Sequence, residues 1–277
     1  MIGGGGGGVT RAVILARGLG TRMRRDDPAA PLDPEQAAVA DTGMKGMIPV
    51  GRPFLDFALS ALADAGCREA CLVIGPEHDA ARERYARYAD AGRIRVRFAV
   101  QERPLGTADA VLAAAPFVGG DPFLVVNADN YYPVDALAAL RAAPLPALAG
   151  FDRDALVRDG NVPPERVARF AVLDVAPDGA LRRVVEKPDD ATLEALGAPL
   201  WVSMNCWAFT PEILDACRRV APSPRGELEL PHAVQLLIDE RGVRFTVLPV
   251  RAPVLDLSSR GDVAAVAARL AGVEVRL

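Results

Sequence analysis

Residues 12–23 read AVILARGLGTRM: an apolar run that breaks into two glycines and ends on a threonine and an arginine. A strand that turns into a helix exposes backbone N–H groups and the positive end of a helix dipole, both of which favour an anion. Five arginines crowd this region, at Arg11, Arg17, Arg22, Arg24 and Arg25. Neither the dinucleotide fingerprint G-x-G-x-x-G nor a Gly-Lys-Ser/Thr ending is present, so the segment alone reads equally as a phosphate loop or a plain tight turn. Further polar groups follow later strand candidates: Lys45 in MKGMIPVGRP, Gln101 with Gly106 and Thr107 in QERPLGTADA, Asp129 in NADN, Glu186 and Lys187 in EKP, Arg225 in PRGELEL, and Asp256 in VLDLSS. Ligands of open α/β sheets sit beyond the carboxyl ends of the strands. Two carboxylates, two lysines, two arginines and a glycine turn on one such edge make a site for phosphate and a divalent metal.

Elements of two kinds must position these groups. Short β-branched runs predict strands over 12–16, 70–75, 94–100, 123–127, 170–175, 181–186, 202–209 and 245–250. Alanine-rich amphipathic segments predict helices near 53–65, 77–91, 106–115, 133–142, 211–219, 230–241 and 261–271. In the first of these Phe54, Leu55, Ala58, Leu59 and Leu62 share one face, and Gly66 follows as a stop. The alternation predicts an α/β fold, a Rossmann-like, mainly parallel sheet flanked by helices. From about 153 to 210 the pattern becomes strand-rich, with turn signals at Pro163-Pro164 and Pro177-Asp178-Gly179, which predicts a smaller mixed-sheet lobe packed onto the first sheet. The run Gly3–Gly8 is expected to be part of a flexible lead-in over 1–10, because glycine loses much entropy on ordering and buries no side chain.

Composition narrows the class. The chain has 277 residues, 51% of them hydrophobic and 25% charged, enough for a large core. A net charge of −4 argues against nucleic acid as a partner, and the local arginine cluster on an acidic protein points instead to a small polyanion. Four cysteines form no C-x-x-C pair and there are two histidines, which argues against a zinc site or thiol–histidine catalysis. No apolar run reaches membrane-spanning length and no cleavable signal is evident. The expectation is a reduced, cytoplasmic protein with no membrane partner, for which homo-oligomerisation is left open.

Taken in order, these pieces resemble the sugar-1-phosphate nucleotidyltransferases over nearly the full length. That family opens on L-A-x-G-x-G-T-R-[LM], matched here by Leu15 to Met23, and its Lys-containing K-x-[ML]-[IL]-P-[VI] looks like Lys45 to Val50. Its Gln-x-x-x-x-Gly-[TL]-Ala is similar to Gln101 to Ala108, and its Glu-Lys-Pro to Glu186-Lys187-Pro188. RGELEL at 225–230 is especially like glucose-1-phosphate thymidylyltransferases. The resemblance implies a single nucleotidyltransferase domain over 11–277, with a nucleotide-binding part to about 150 and an acceptor-binding part beyond. It implies transfer of a nucleotidyl group from an NTP to a sugar 1-phosphate, yielding NDP-sugar and pyrophosphate with Mg²⁺, for which Mn²⁺ can substitute.

On that resemblance, Leu15, Ala16, Arg17, Gly18, Gly20, Thr21, Gln101, Gly106 and Thr107 bind the nucleotide. Arg22, Lys45 and Asp129 are catalytic, and Asp129 with Asp256 hold the metal. Glu186, Lys187, Asn205 and Arg225 face the sugar phosphate, while Glu227 and Glu229 are expected to serve structure. A Gln at the base loop favours UTP or dTTP, since uracil and thymine offer N3–H and O4 to an amide.

Several departures bear on these expectations. Arg17 replaces a residue that is usually Gly or Ala, adding charge beside the phosphates. The stretch from Arg22 to Lys45 is about twice the family's usual length; its acids (Asp26, Asp27, Asp33, Glu35, Asp41) suggest a flap that neutralises the arginine cluster until nucleotide binds. Ala171 and Trp207 stand where glycines are common around the sugar, implying a reshaped acceptor pocket unless the Trp207 indole points into the core beneath its strand, where a tryptophan is usually at home. The hexapeptide-repeat segment of some relatives is absent from this sequence, so no fused acyltransferase is expected. Rival readings are a cytidylyltransferase for a small phosphorylated alcohol or phosphonate, a non-catalytic regulatory homologue, and an NDP-sugar-dependent glycosyltransferase, which would not need G-x-G-T-R or Lys45.

Overall fold

A computed structural model describes residues 8–277. Its strands are β1 (Arg11–Leu15), β2 (Glu69–Ile74), β3 (Arg95–Val100), β4 (Phe123–Asn127), β5 (Asn130–Tyr131), β6 (Ala147–Asp152), β7 (Val172–Val175), β8 (Leu181–Val185), β9 (Trp201–Phe209), β10 (Thr246–Val250) and β11 (Leu255–Asp256). One nine-stranded sheet runs β10-β6-β9-β4-β1-β2-β3, with the β7–β8 hairpin joined to β9. Along that order neighbours are parallel except at β9, which runs antiparallel to both β4 and β6; β7 is antiparallel to both β8 and β9. The fold is thus the expected mainly parallel α/β sheet.

Burial explains why β1 reads as unbroken hydrophobicity. Ala12, Val13 and Ile14 are all fully buried, but they alternate between two cores: Ala12 and Ile14 enter one, with the helix Phe54–Asp64 and Leu72, while Val13 enters the other, with the helix Thr107–Ala113 and Phe209. A strand covered by helices on both faces has no use for polar alternation. Burial of Val13 and Ile14 stabilises by about 1.5–3 kcal/mol each relative to exposure.

Four features differ from the sequence expectation. The strands past residue 147 do not form a lobe packed on the sheet: β9 inserts between β4 and β6, so both halves of the chain share one sheet. β6 itself, ALAGFD, went unpredicted because alanine and glycine carry little β-propensity; neighbours β9 and β10 dictate its strand. The stretch expected to be a flap contains a nine-residue helix, Pro34–Thr42, with a capping box between Asp33 and Gln36. Of the glycine lead-in, Gly3–Gly7 lie outside the described residues, whereas Val9 is buried and exchanges hydrogen bonds with Arg141, donating to its carbonyl at 2.8 Å and accepting from its Nε at 2.9 Å.

The stretch between Arg22 and Lys45 is packed into a third core. Met23 and Ala40 are fully buried against Ile48, Phe54, Leu257 and Val266. Its acids do not face the arginine cluster as expected. Asp26 and Asp41 pair with Arg260 at 3.2 and 2.8 Å, and Asp33 caps its own helix. A carboxylate next to a helix N-terminus or a buried guanidinium gains more there than from exposed arginines across open solvent.

Candidate active site

Two adjoining chambers open at the carboxyl end of β1. The larger, of about 420 Å³, is lined by Arg17, Gly18, Gly20, Thr21, Arg22, Gln101, Gly106 and Glu227 among others. The smaller, of about 200 Å³, is lined by Ala16, Asn127, Asp129 and Asn205 among others. Leu15, Gly18, Lys45 and Thr107 border both. The sheet accounts for this convergence: β1 lies between β4, which ends at Asn127, and β2, which passes to β3 and Gln101.

The turn after β1 must be glycine at Gly20. Its φ is +60°, and a Cβ there would fall on the Gly43 backbone, so the turn closes only because the end of the insertion presses on it. Arg22 follows in the helix Thr21–Arg24, exposed and without an ion pair among the described residues. Arg17 points elsewhere. It is 9% exposed; its Nε donates to the Gln101 carbonyl at 3.2 Å and its Nη1 pairs with Glu77 at 2.9 Å. The charge that Arg17 brings to the turn is therefore balanced locally by Glu77.

Across the chamber, Gly106 has φ +120°, and a Cβ on it would meet the Leu228 carbonyl oxygen at 2.5 Å. Leu228 crosses here, accepting from the Ala108 N–H at 2.8 Å and donating to Leu105 at 2.7 Å, while Thr107 Oγ1 accepts from the Leu230 N–H at 2.8 Å. The RGELEL segment is thus sewn onto the Gln101–Thr107 loop, and that crossing brings Glu227 to the wall. The sequence reading had given Glu227 a structural part; only the long-range crossing shows its side chain to the cavity.

Lys45 and Asp129 form the ion pair between the chambers, Nζ to Oδ2 at 2.5 Å. Asp256 comes close to Asp129 through pairing of β11 with β5, where it sits opposite Asn130, and through the Leu257 N–H donating to the Asp129 carbonyl at 2.8 Å. Asp256 does not line either chamber. It is 5% exposed, its Oδ1 accepts from Asn130 Nδ2 at 3.0 Å, and its Oδ2, 3.2 Å from Arg166 Nη2, accepts no hydrogen bond. Burial first, and then the charge of Asp129, push its carboxyl up to about 6. Two neighbouring carboxylates, one with a buried oxygen that accepts no hydrogen bond although the Arg166 guanidinium lies beside it, are a donor set that suits Mg²⁺. That ion takes one or two carboxylates and completes its shell with water and phosphate, so the lack of any cluster of three metal-binding side chains among the described residues does not weigh against the fit.

Glu186, Lys187 and Arg225 also stay off the chamber walls. Glu186 and Lys187 are exposed just past β8, and Arg225 Nη2 is engaged by Glu229 Oε1 at 3.0 Å. Although Glu186 reaches solvent, the protein around it strips part of the water from its carboxyl and, with the Glu229 charge, raises it above its ordinary value, against the opposing pull of Arg225. These residues form a separate group beside Glu227. Lys187 and Asn205 are the only non-glycine residues with positive φ among those described, at 45° and 53°, a backbone strain that structures tend to keep at functional positions.

Of the two placements open to Trp207, the structure takes the core. Its indole is fully buried and stacks on Phe209 at 5.6 Å between centroids, so it belongs to the core and not to the acceptor pocket. Alternation puts Trp207 and Phe209 on one face of β9, where Trp207 pairs in register with Val125 and packs in the core that includes Val111 of the helix Thr107–Ala113. Ala171 is likewise absent from both walls; its carbonyl accepts from the Ser203 N–H at 2.9 Å.

Comparison with known proteins gives the family. A family model described as nucleotidyl transferase matches residues 11–248. A glucose-1-phosphate thymidylyltransferase of Streptomyces griseus is 32% identical over 86% of this chain and 60% of its own. A UTP–glucose-1-phosphate uridylyltransferase of Haloferax volcanii is 29% identical over 82% of this chain and 83% of its own. The chain spans about 60% of the length of the first thymidylyltransferases it resembles. Among solved structures, a UDP-glucose pyrophosphorylase complexed with UDP-glucose superposes with a TM-score of 0.73 at 18% identity, covering 96% of this chain and all of that one. A UTP-bound enzyme of the same name from Acinetobacter baumannii gives 0.68 at 19% identity, covering 96% and 95%. With the glycine turn, its lysine and its aspartate gathered at one sheet edge and the match running through them, this chain belongs to the nucleotidyl transferase family.

Proposed function

We propose that the chain transfers a nucleotidyl group from an NTP, UTP or dTTP before others, to a sugar 1-phosphate, giving NDP-sugar and pyrophosphate with Mg²⁺ or Mn²⁺. The observation that carries the reading is the position of Lys45, on the wall common to both chambers. A triphosphate in the larger chamber and a phosphorylated acceptor in the smaller would meet beside it. The names of the thymidylyl- and uridylyltransferase relatives support the choice of base and acceptor.

In this reading the N–H groups of Gly18 to Thr21 and the unpaired Arg22 hold the β and γ phosphates. Lys45 leaves Asp129 for the α-phosphate and stabilises the charge that moves to the leaving group, where such contacts contribute most. Gln101 and the Gly106 backbone face the base. Asn205 orients the acceptor, and Glu186, Lys187 and Arg225 take its outer contacts. Asp129 and Asp256 are the residues that would hold the cation, which when bound screens the two phosphate groups from each other. Attack by the acceptor's phosphate oxygen on the α-phosphorus, in line with departing pyrophosphate, then needs positioning and charge neutralisation and no covalent intermediate.

The test is pyrophosphate release over a matrix of NTPs and phosphorylated acceptors. Release only when an NTP, a divalent cation and a sugar 1-phosphate are all present supports the proposal. Release of inorganic phosphate, or transfer of sugar from an NDP-sugar to a second acceptor, refutes it.

A further inference from the structure

Gln101 is a buried amide, 4% exposed, whose surroundings leave it little choice of orientation. Its backbone is held on both sides: the N–H donates to Ile74 at 2.9 Å and the carbonyl accepts from Arg17 Nε at 3.2 Å. Its Nε2 donates to the Gly106 carbonyl at 3.0 Å and to Asp109 Oδ2 at 2.7 Å. A carbonyl and a carboxylate offer only lone pairs, so the NH₂ of the amide must face them; turning it over would set Oε1 against two oxygens. Gly106 cannot withdraw, because Leu228 lies across it. Gln101 Oε1 itself accepts no hydrogen bond among the described residues. It is also not one of the sealed unpaired polar atoms, which are Arg166 Nε, Trp207 Nε1 and Asp256 Oδ2. Gln101 lines the larger chamber, and its oxygen is the polar atom left to meet a ligand there.

We infer that Asp109 is a positioning residue for nucleobase selection: with the Gly106 carbonyl it takes both amide hydrogens of Gln101, so the base meets an acceptor only and must bring an N–H to it. The inference rests on the proposed nucleotidyl transfer, which puts the base beside Gln101. An unrestrained glutamine amide is ambidextrous, able to turn its NH₂ to a base acceptor or its oxygen to a base donor. Uracil and thymine present N3–H where cytosine presents the N3 lone pair. With the amide locked, the cytosine lone pair would face the lone pairs of Oε1, and neither could adjust. The amide donor therefore does not pair with O4 of uracil, contrary to the two-sided amide pairing expected from sequence.

The experiment measures kcat/KM for UTP (or dTTP) and for CTP, by pyrophosphate release, in the wild type, Asp109→Ala, Gln101→Ala and the double variant, each checked for folding by thermal melting. The wild type should favour the uracil or thymine nucleotide by at least about 10²-fold, the scale on which an unmatched buried polar group is rejected. Asp109→Ala should narrow that ratio by about tenfold, mainly through a lower KM for CTP, since the amide then gives up one hydrogen bond to turn instead of two. Asp109→Asn, nearly isosteric and able to face Gln101 with oxygen or NH₂, should narrow it too and serves if the alanine variant does not fold. In the Gln101→Ala background the Asp109 change should leave the ratio alone, because there is no amide to hold. A ratio unchanged in folded Asp109 variants, or one that shifts equally without Gln101, overturns the inference while nucleotidyl transfer stands. Pyrophosphate from other NTPs but not from UTP or dTTP overturns the inference as well, whereas none from any NTP with any acceptor overturns the transfer reading itself.

Discussion

Arg260→Met should detach the segment between Arg22 and Lys45 from the body of the protein. Arg260 is 9% exposed, and its Nε donates to the Met23 carbonyl at 3.1 Å while Nη1 and Nη2 reach Asp26 and Asp41 at 3.2 and 2.8 Å. The Asp26 and Asp41 side chains are 84% and 67% exposed, so they rehydrate when the guanidinium goes, and each pair contributes at most about 1 kcal/mol. The Met23 carbonyl loses a charged donor in a buried place, about 1.5–3 kcal/mol. Methionine keeps the apolar stem, so packing changes little. Together the loss is about 2–4 kcal/mol of attachment, which raises the local opening constant about 30- to 700-fold. Limited proteolysis within 24–44, run with cleavage slow relative to reclosing, reports that constant directly. Asp26→Asn, as a control, should stay within about fivefold of wild type. Because Gly43 closes the turn at Gly20, the KM for the NTP should rise as well. Cleavage within about threefold of wild type, or an equal increase at sites throughout the chain, would refute the attachment argument.

Trp207→Gly should cost about 4–6 kcal/mol, combining a large core cavity with the extra chain entropy of glycine, and leave the ranking of acceptors unchanged. Trp207→Phe should lie much nearer the wild type, because it removes an indole N–H that has no hydrogen-bond partner; urea unfolding of both, with an acceptor panel, checks this, and an altered panel would return Trp207 to the pocket. Lys45→Ala should lower kcat by at least about 10²-fold, and Lys187→Ala should chiefly raise the acceptor KM; steady-state kinetics with identical phenotypes would contradict that division. His78 is buried, which holds its imidazole below the ordinary value, and its Nδ1 accepts from the Gly75 N–H at 3.2 Å. The unfolded chain then binds a proton near pH 6.5 that the folded chain refuses, so stability should fall as pH drops from about 7.5 to 5.5. His78→Gln should show a shallower decline over that window, and parallel curves would exclude the linkage.

Local chemistry was legible in the chain because it depends on neighbours in sequence. An apolar run ended by Gly18-Leu19-Gly20-Thr21-Arg22 already implies a strand and a turn, and the strand ahead of Lys45's partner Asp129 was located at 123–127, where β4 runs. Their convergence follows once a parallel sheet is recognised, since such a sheet collects its carboxyl ends on one edge. What remained open depends on contacts between residues far apart. Trp207 suits either a pocket or a core by type, and only the stack on Phe209 decides it. The acids of the insertion could meet any cation within reach, and packing of Met23 and Ala40 delivers them to Arg260. The orientation of Gln101 is likewise set by Asp109 and by a carbonyl that Leu228 pins in place. Sequence specifies which groups a chain owns and how each element forms. Which partner a polar group meets, and which of its atoms is left for a ligand, is set only when close packing removes the alternatives.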